Sequence, residues 1–350
     1  MSYEWPIDPA EFFTERRPQM LRMGLPEADV NIVQRAVKEM WKDSPGGWVY
    51  EWSQLARKYA EAGRSDVSAQ AYGWAKFPTL ANPAMRTALA NQLEQYLRAA
   101  ANFPVRFERQ VLDLPYQGGS TPVPVHIFTA EGLAADAPVI IASGGVDGWK
   151  MDLHGIFVAL ATTKIARIVT FDIAGTGESR VPMTPAGGAE IVDGLVAEAR
   201  KMGARKVAHL GISMGGYYSA RSGLAGKVDA AIVLGGPVEA AFTSDRRYQF
   251  GMYDIVANAM GFDQRPEPAE IHARRNEFSL RPLLNQDLNA SMLVINGADD
   301  VHVPQQDTLV FQGRRGTEVH LLPDTGHCAI TKLPEAMMIM MGWLTEKLRA

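Results

Sequence analysis

The chain has 350 residues, 47% hydrophobic and 21% charged, a balance that allows one large globular domain or two smaller ones with a sizeable core. A formal net charge of -4 and an isoelectric point near 6.0 exclude the basic surplus that nucleic-acid binding requires, and no apolar run is long enough to span a bilayer. The single cysteine, Cys328, precludes an internal disulfide or a thiolate metal site, and Met1–Pro6 carries no basic stretch leading into an apolar core, so a cytoplasmic chain with a small-molecule substrate is expected.

Helical spacing dominates the first hundred residues. Trp52, Leu55, Ala56, Tyr59 and Ala60 form one stripe that Gly63 is placed to stop. Ala71, Trp74 and Ala75 form a second, ended by Pro78, and Met85, Leu89, Leu93, Tyr96 and Leu97 a third. The segment reads as a helical N-terminal cap over 1–103, rich enough in Trp and Tyr to serve as a lid that also lines a pocket. Its apolar layer also offers a surface for a homodimer.

Near residue 104 the period changes from helical to alternating. Phe107–Asp113 and Val123–Phe128 alternate around a Gly-rich turn over 115–121, which predicts an antiparallel hairpin. Unbroken apolar runs follow at 139–142, 168–171, 207–210, 230–234, 292–295 and 319–322, separated mostly by helical patterns such as 189–202 and 333–348. Buried strands alternating with helices predict an α/β fold, a mostly parallel doubly wound sheet, over 104–350. The exception is 237–290, a long insertion after the sixth strand. Its mixture of Phe242, Arg246, Arg247, Tyr248, Phe250, Met252, Tyr253 and Met260 suits a second part of a lid.

Within this pattern, Gly211-Ile212-Ser213-Met214-Gly215 follows an apolar strand and precedes a helix. That context makes G-x-S-x-G a nucleophile elbow, with the serine lifted off the sheet on a strained turn and glycines where a side chain would meet neighbouring backbone. A serine hydroxyl needs a base, and the base needs an orienting acid. Asp300 follows the strand 292–295 and His327 follows 319–322, so parallel crossovers bring Ser213, Asp300 and His327 to one sheet edge in the order Ser, Asp, His. Asp299 is the alternative acid and His302 the alternative base. His126, His154, His209, His272 and His320 lie mid-strand or in helical or insertion segments and read as structural. The oxyanion donors fall to the backbone N–H of Met214 and to the loop Ser143-Gly144-Gly145-Val146-Asp147-Gly148-Trp149-Lys150, where Val146 is preferred and Gly145 is the alternative.

These motifs resemble the α/β-hydrolase superfamily over roughly residues 104–350. Phe171-Asp172-Ile173-Ala174-Gly175-Thr176-Gly177-Glu178-Ser179 is similar to its D-x-P-G-x-G-x-S segment, departing at Ala174. The helical N-terminus, the Gly144-Gly145-Val146-Asp147 loop and Gly211–Tyr217 resemble more narrowly a subgroup that includes 2,6-dihydroxypseudooxynicotine hydrolase and fungal polyketide-shortening pigment hydrolases. Its D-S-x-K-E-E continuation is matched only in part by Asp147-Gly148-Trp149-Lys150-Met151-Asp152. The resemblance implies hydrolysis of a C–C bond beside a ketone in an aromatic or polyketide-like substrate. It also implies an additional acidic residue after the sixth strand, for which Glu239 is the candidate, alongside a solvent-facing reading of the same side chain. Gly145 and Trp149 are further candidates for substrate contact. A carboxylesterase or lactonase with the same triad, and a non-enzymatic small-molecule receptor, are the alternatives. No feature asks for a cofactor or a metal.

Overall fold

The computed structural model describes residues 2–244 and 248–349. Five helices come first: α1 (Pro9–Arg22), α2 (Glu27–Ala36), α3 (Trp48–Glu61), α4 (Ser65–Ala75) and α5 (Pro83–Ala99). The hairpin β1 (Arg106–Tyr116) and β2 (Gly119–Thr129) leads into β3 (Val139–Ser143), α6 (His154–Thr162), β4 (Arg167–Phe171), α7 (Pro185–Lys201), β5 (Val207–Ile212), α8 (Met214–Leu224) and β6 (Ala230–Leu234). Helices α9 (Ala240–Thr243), α10 (Met252–Ala259), α11 (Pro268–Asn276) and α12 (Arg281–Leu284) precede β7 (Ser291–Gly297), α13 (Gln305–Leu309), β8 (Thr317–Leu322) and α14 (Leu333–Arg349).

The chain divides into two compact units. One is Met1–Phe103 with Tyr248–Pro266, and the other is Pro104–Arg247 with Glu267–Ala350. The first is helical around an aromatic core in which Trp48 meets Phe12, Phe13, Trp52 and Phe77, and the Trp48 indole donates to Trp74 O at 2.6 Å. Helix α10 is stitched to the N-terminal segment: Tyr3 Oη donates to Asp254 Oδ1 at 2.9 Å, and Tyr3 N donates to Asn258 Oδ1 at 3.0 Å. This stretch therefore belongs to the helical unit, where composition alone assigns it to the insertion. Arg246 and Arg247, cited with it, lie outside the described residues. Helix α1 lacks a clear apolar stripe in the sequence. Glu11, Glu15, Arg16, Arg17 and Pro18 break it up, and the start of the helix is fixed locally by Asp8 Oδ1 accepting from Ala10 N at 2.9 Å and by Pro9 at its first turn.

The second unit holds an eight-stranded sheet in the order β1-β2-β4-β3-β5-β6-β7-β8. Strands β3 to β8 run parallel, with β1 and β2 antiparallel at one edge. The expected mostly parallel sheet flanked by helices is present. The hairpin turn is tighter than expected: β1 and β2 run through 115–121 and turn at Gln117-Gly118 alone, both with positive φ, as a two-residue hairpin loop demands. Register then aligns the strand ends. Ser143 lies opposite Gly211, Ile212 opposite Leu234, Leu234 opposite Ile295, and Gly297 opposite Leu322. The loops after β3, β5, β6, β7 and β8 therefore leave the sheet side by side.

One of these loops is tied down by buried charge. Lys150 is fully buried, its Nζ 2.5 Å from Asp172 Oδ2 and 2.8 Å from Glu178 Oε2, and its backbone N donates to Asp172 Oδ1 at 2.9 Å. Arg109 of β1 closes the group on Glu178 at 2.6 Å. Burial opposes the lysine charge, but the two carboxylates outweigh it and hold the proton above the usual lysine range. Two cations against two anions leave this patch neutral. Lys150→Met leaves a buried carboxylate without its partner and is expected to destabilise the sheet-bearing unit by about 3–5 kcal/mol, read as a lowered midpoint in urea denaturation.

Candidate active site

Ser213 sits between β5 and α8 with φ 56° and ψ -125°, a left-handed backbone that costs a residue with a Cβ of order 1–3 kcal/mol. Its surroundings hold it there. Ser213 N donates to Leu234 O at 2.8 Å, and the turn is so close that a Cβ on Gly211 would lie 2.0 Å from Gly215 O. His327 follows β8, and its Nε2 is 2.8 Å from Ser213 Oγ. Its Nδ1 is 2.7 Å from Asp300 Oδ2, in the loop after β7. Three side chains far apart in sequence thus form one hydrogen-bonded row, and Ser213, Asp300 and His327 are the three singled out from sequence.

Asp300 is buried, and both its oxygens are engaged. Oδ1 accepts from His302 N at 2.7 Å and Val303 N at 3.0 Å, while Oδ2 accepts from Asn296 Nδ2 at 2.8 Å as well as facing the imidazole. Burial alone would raise its pKa, but His327 and these donors outweigh it and bring the carboxyl down to about 2. Burial of the His327 ring opposes its charge, and the neighbouring Cys328 together with Asp300 outweighs that, holding the ring above the ordinary histidine value of 6.5. Asp299, the alternative acid, instead lends its backbone N–H to Thr325 O at 2.9 Å. His302, the alternative base, lies edge-on to the His327 ring with centroids 5.3 Å apart.

The loop after β3 lies against the serine. A Cβ on Gly145 would come within 2.8 Å of Ser213 Cβ and 2.9 Å of Ser213 Oγ. Gly145 N donates to Gly148 O at 3.0 Å, so that amide is spent inside the loop. The amides of Val146 and Met214 meet no acceptor among the described residues. Trp149 is buried, and its indole donates back to Val146 O at 3.0 Å, which braces the loop. Glu239 is half-buried, with its carboxylate taken up by Ser279 Oγ and by Arg281 Nε at 3.4 Å. Around it, Asp307 accepts from the backbone N–H groups of Val238, Glu239, Ala240 and Ala241, which pins the segment after β6.

His209 is buried mid-strand against Ser222 Oγ at 2.9 Å, and burial lowers its pKa to about 3. His126, also buried, falls to about 2 by burial and nearby cations. Both are neutral members of the core. Sequence reasoning does not reach Asn296 and Asp307. Asn296 carries a signal, a polar amide ending an apolar strand just before Gly297, but no spacing marks its partners. Among the described residues no group of three or more His, Cys, Asp or Glu side chains is arranged to hold a metal ion, and no helix is long and apolar enough to cross a membrane.

Comparison with known proteins agrees with the fold. The structure is similar to AbyA5 (TM-score 0.78, 20% identity, covering 92% of this chain and 90% of that one). It is also similar to 2,6-dihydroxy-pseudo-oxynicotine hydrolase (TM-score 0.73, 19% identity, covering 94% and 95%). The likeness to both shows the fold that the subgroup resemblance implied. In sequence, the chain is 25% identical over 332 residues to Esterase FrsA of Photobacterium profundum, spanning 87% of this chain and 77% of that protein. A family model described as Esterase FrsA-like matches residues 40–349, and on that match this α/β-hydrolase chain belongs to the FrsA-like esterase family of hydrolytic enzymes.

Proposed function

We propose that the chain is a serine hydrolase that cleaves carboxylic esters through Ser213, His327 and Asp300. The observation that carries this reading is the unbroken row from Ser213 Oγ through His327 to Asp300, at 2.8 and 2.7 Å, beside two backbone amides with no acceptor among the described residues. Ser213 Oγ attacks the substrate carbonyl carbon while its proton passes to His327 Nε2, and Asp300 stabilises the imidazolium. The carbonyl oxygen gains the electron pair and is received by the N–H groups of Met214 and Val146. Collapse of this intermediate expels the alkoxide, which takes the proton from His327. Water, deprotonated by the same ring, then attacks the acyl-serine and releases the acid.

Hydrolysis of a C–C bond beside a ketone needs the same first steps and is the second reading. It is favoured by the likeness to 2,6-dihydroxy-pseudo-oxynicotine hydrolase along nearly the whole chain. His327 would then protonate a carbon leaving group, which must be delocalised to depart. The ester reading stands first because the family is an esterase family and because Glu239, the residue that the C–C reading would use to orient a substrate hydroxyl, is already engaged by Ser279 and Arg281.

A fluorophosphonate probe is expected to label the wild-type protein and not Ser213→Ala, which should lose at least about 10⁴-fold in kcat on a short-chain ester while keeping its thermal midpoint. Absence of labelling in folded wild type would instead favour a receptor, and turnover of β-diketones or acyl-resorcinols without ester turnover would move the C–C reading to first place. Asp300→Asn is expected to cost about 10³- to 10⁴-fold in kcat and Asp299→Asn to stay near wild type; the reverse outcome reassigns the acid. Because the base works only as neutral imidazole and its pKa is raised, kcat/KM should fall on acidification through a limb centred above pH 6.5. The residual activity of Asp300→Asn should show that limb at lower pH, since the charge favouring the imidazolium is gone.

A further inference from the structure

Asn296 is buried at the end of β7, and its amide has two partners in two different loops. Nδ2 donates to Asp300 Oδ2 at 2.8 Å, the oxygen that also faces His327 Nδ1 at 2.7 Å. Oδ1 accepts at 3.0 Å from the backbone N–H of Cys328, the peptide immediately after His327. That peptide opens a costly turn, since Cys328 and Ala329 both carry a Cβ in left-handed backbone, with φ 56° and 51°. The loops meet backbone to backbone beneath it: a Cβ on Gly297 would lie 2.1 Å from Gly326 O. A side-chain amide can donate to one loop and accept from the other at once. A carboxylate can only accept, and an alkyl group of the same shape can do neither.

We propose that Asn296 is a positioning residue for the proton transfer from Ser213 Oγ to His327 Nε2, fixing the carboxylate of Asp300 and the main chain of His327 to each other through one amide. The inference rests on the Ser213–His327–Asp300 reading above. Around the His327 ring stand Asp300 from the loop after β7, Ser213 from the elbow, the edge-on ring of His302, and Cys328, whose Sγ lies 3.4 Å from Leu234 O. Asn296 adds no charge to this group. It governs where the ring points and how Asp300 Oδ2 is shared between two donors.

The test compares full-length wild type, Asn296→Asp and Asn296→Ala by rate of fluorophosphonate labelling and by kcat and KM on a short-chain ester across pH, each normalised to folded protein from its melting curve. Both variants should label and turn over roughly 10- to 100-fold more slowly, with the loss in kcat rather than in KM. Asn296→Asp keeps the shape and the acceptor for Cys328 N–H but sets a second carboxylate beside Asp300, so its acid limb should move to higher pH. Labelling of Asn296→Asp at the wild-type rate with the wild-type acid limb overturns the proposal. So does an activity loss in both variants that merely tracks loss of folded protein. Wild-type protein that fails to label, or labelling that survives Ser213→Ala, counts against the triad reading itself.

Discussion

The site depends on one imidazole held at both ends. His327 can touch Ser213 and Asp300 together only because the ends of β5, β7 and β8 come out level, and that levelling comes from the strand register of the parallel part of the sheet. A slip of one residue in β7 or β8 would turn every inward side chain outward and carry a loop away from its partners. Rigidity at the sheet edge therefore precedes chemistry. The left-handed backbone at Ser213 persists because Leu234 O, the tight approach of Gly211 to Gly215 and the Gly145 loop all fix the same turn.

Charge is buried here in closed groups. Asp300 has its oxygens filled by two backbone amides, an asparagine and a histidine. Asp307 is surrounded by four successive amides, and Lys150 is balanced by Asp172 and Glu178 with Arg109 behind them. In each case a loop rising from the sheet edge is tied to a carboxylate. Such groups contribute little net stability compared with apolar packing, but they have few alternative arrangements, so they specify where each loop goes.

Much of this was legible in the sequence. The strand-turn-helix context of Ser213, and the positions of Asp300 and His327 one strand apart near the C-terminus, follow from periodicity and topology, which are local signals that add up. The bridging residues were not legible, for a physical reason. Asn296 and Asp307 act through amides of segments that sequence spacing does not bring near them, and an asparagine or aspartate at a loop edge looks the same whether it caps a turn or joins two loops. Helical character was read for the whole of 1–103, but the bounds of α1 escaped because charged residues and Pro18 interrupt its apolar face. The allegiance of Tyr248–Pro266 escaped because the hydrogen bonds that decide it, from Tyr3 to Asp254 and Asn258, link positions about 250 residues apart.

That last pairing bears on how the protein can be taken apart. The helical unit is discontinuous along the chain: its N-terminal part leaves the ribosome before the sheet, yet α10, which receives Tyr3, emerges only after six strands of the sheet have been made. A fragment cut after Phe103 would leave Tyr3, Trp5 and Phe12 without the segment they pack or bond against. Exchange of this unit between homologues therefore calls for two grafts made together, one at each stretch of chain.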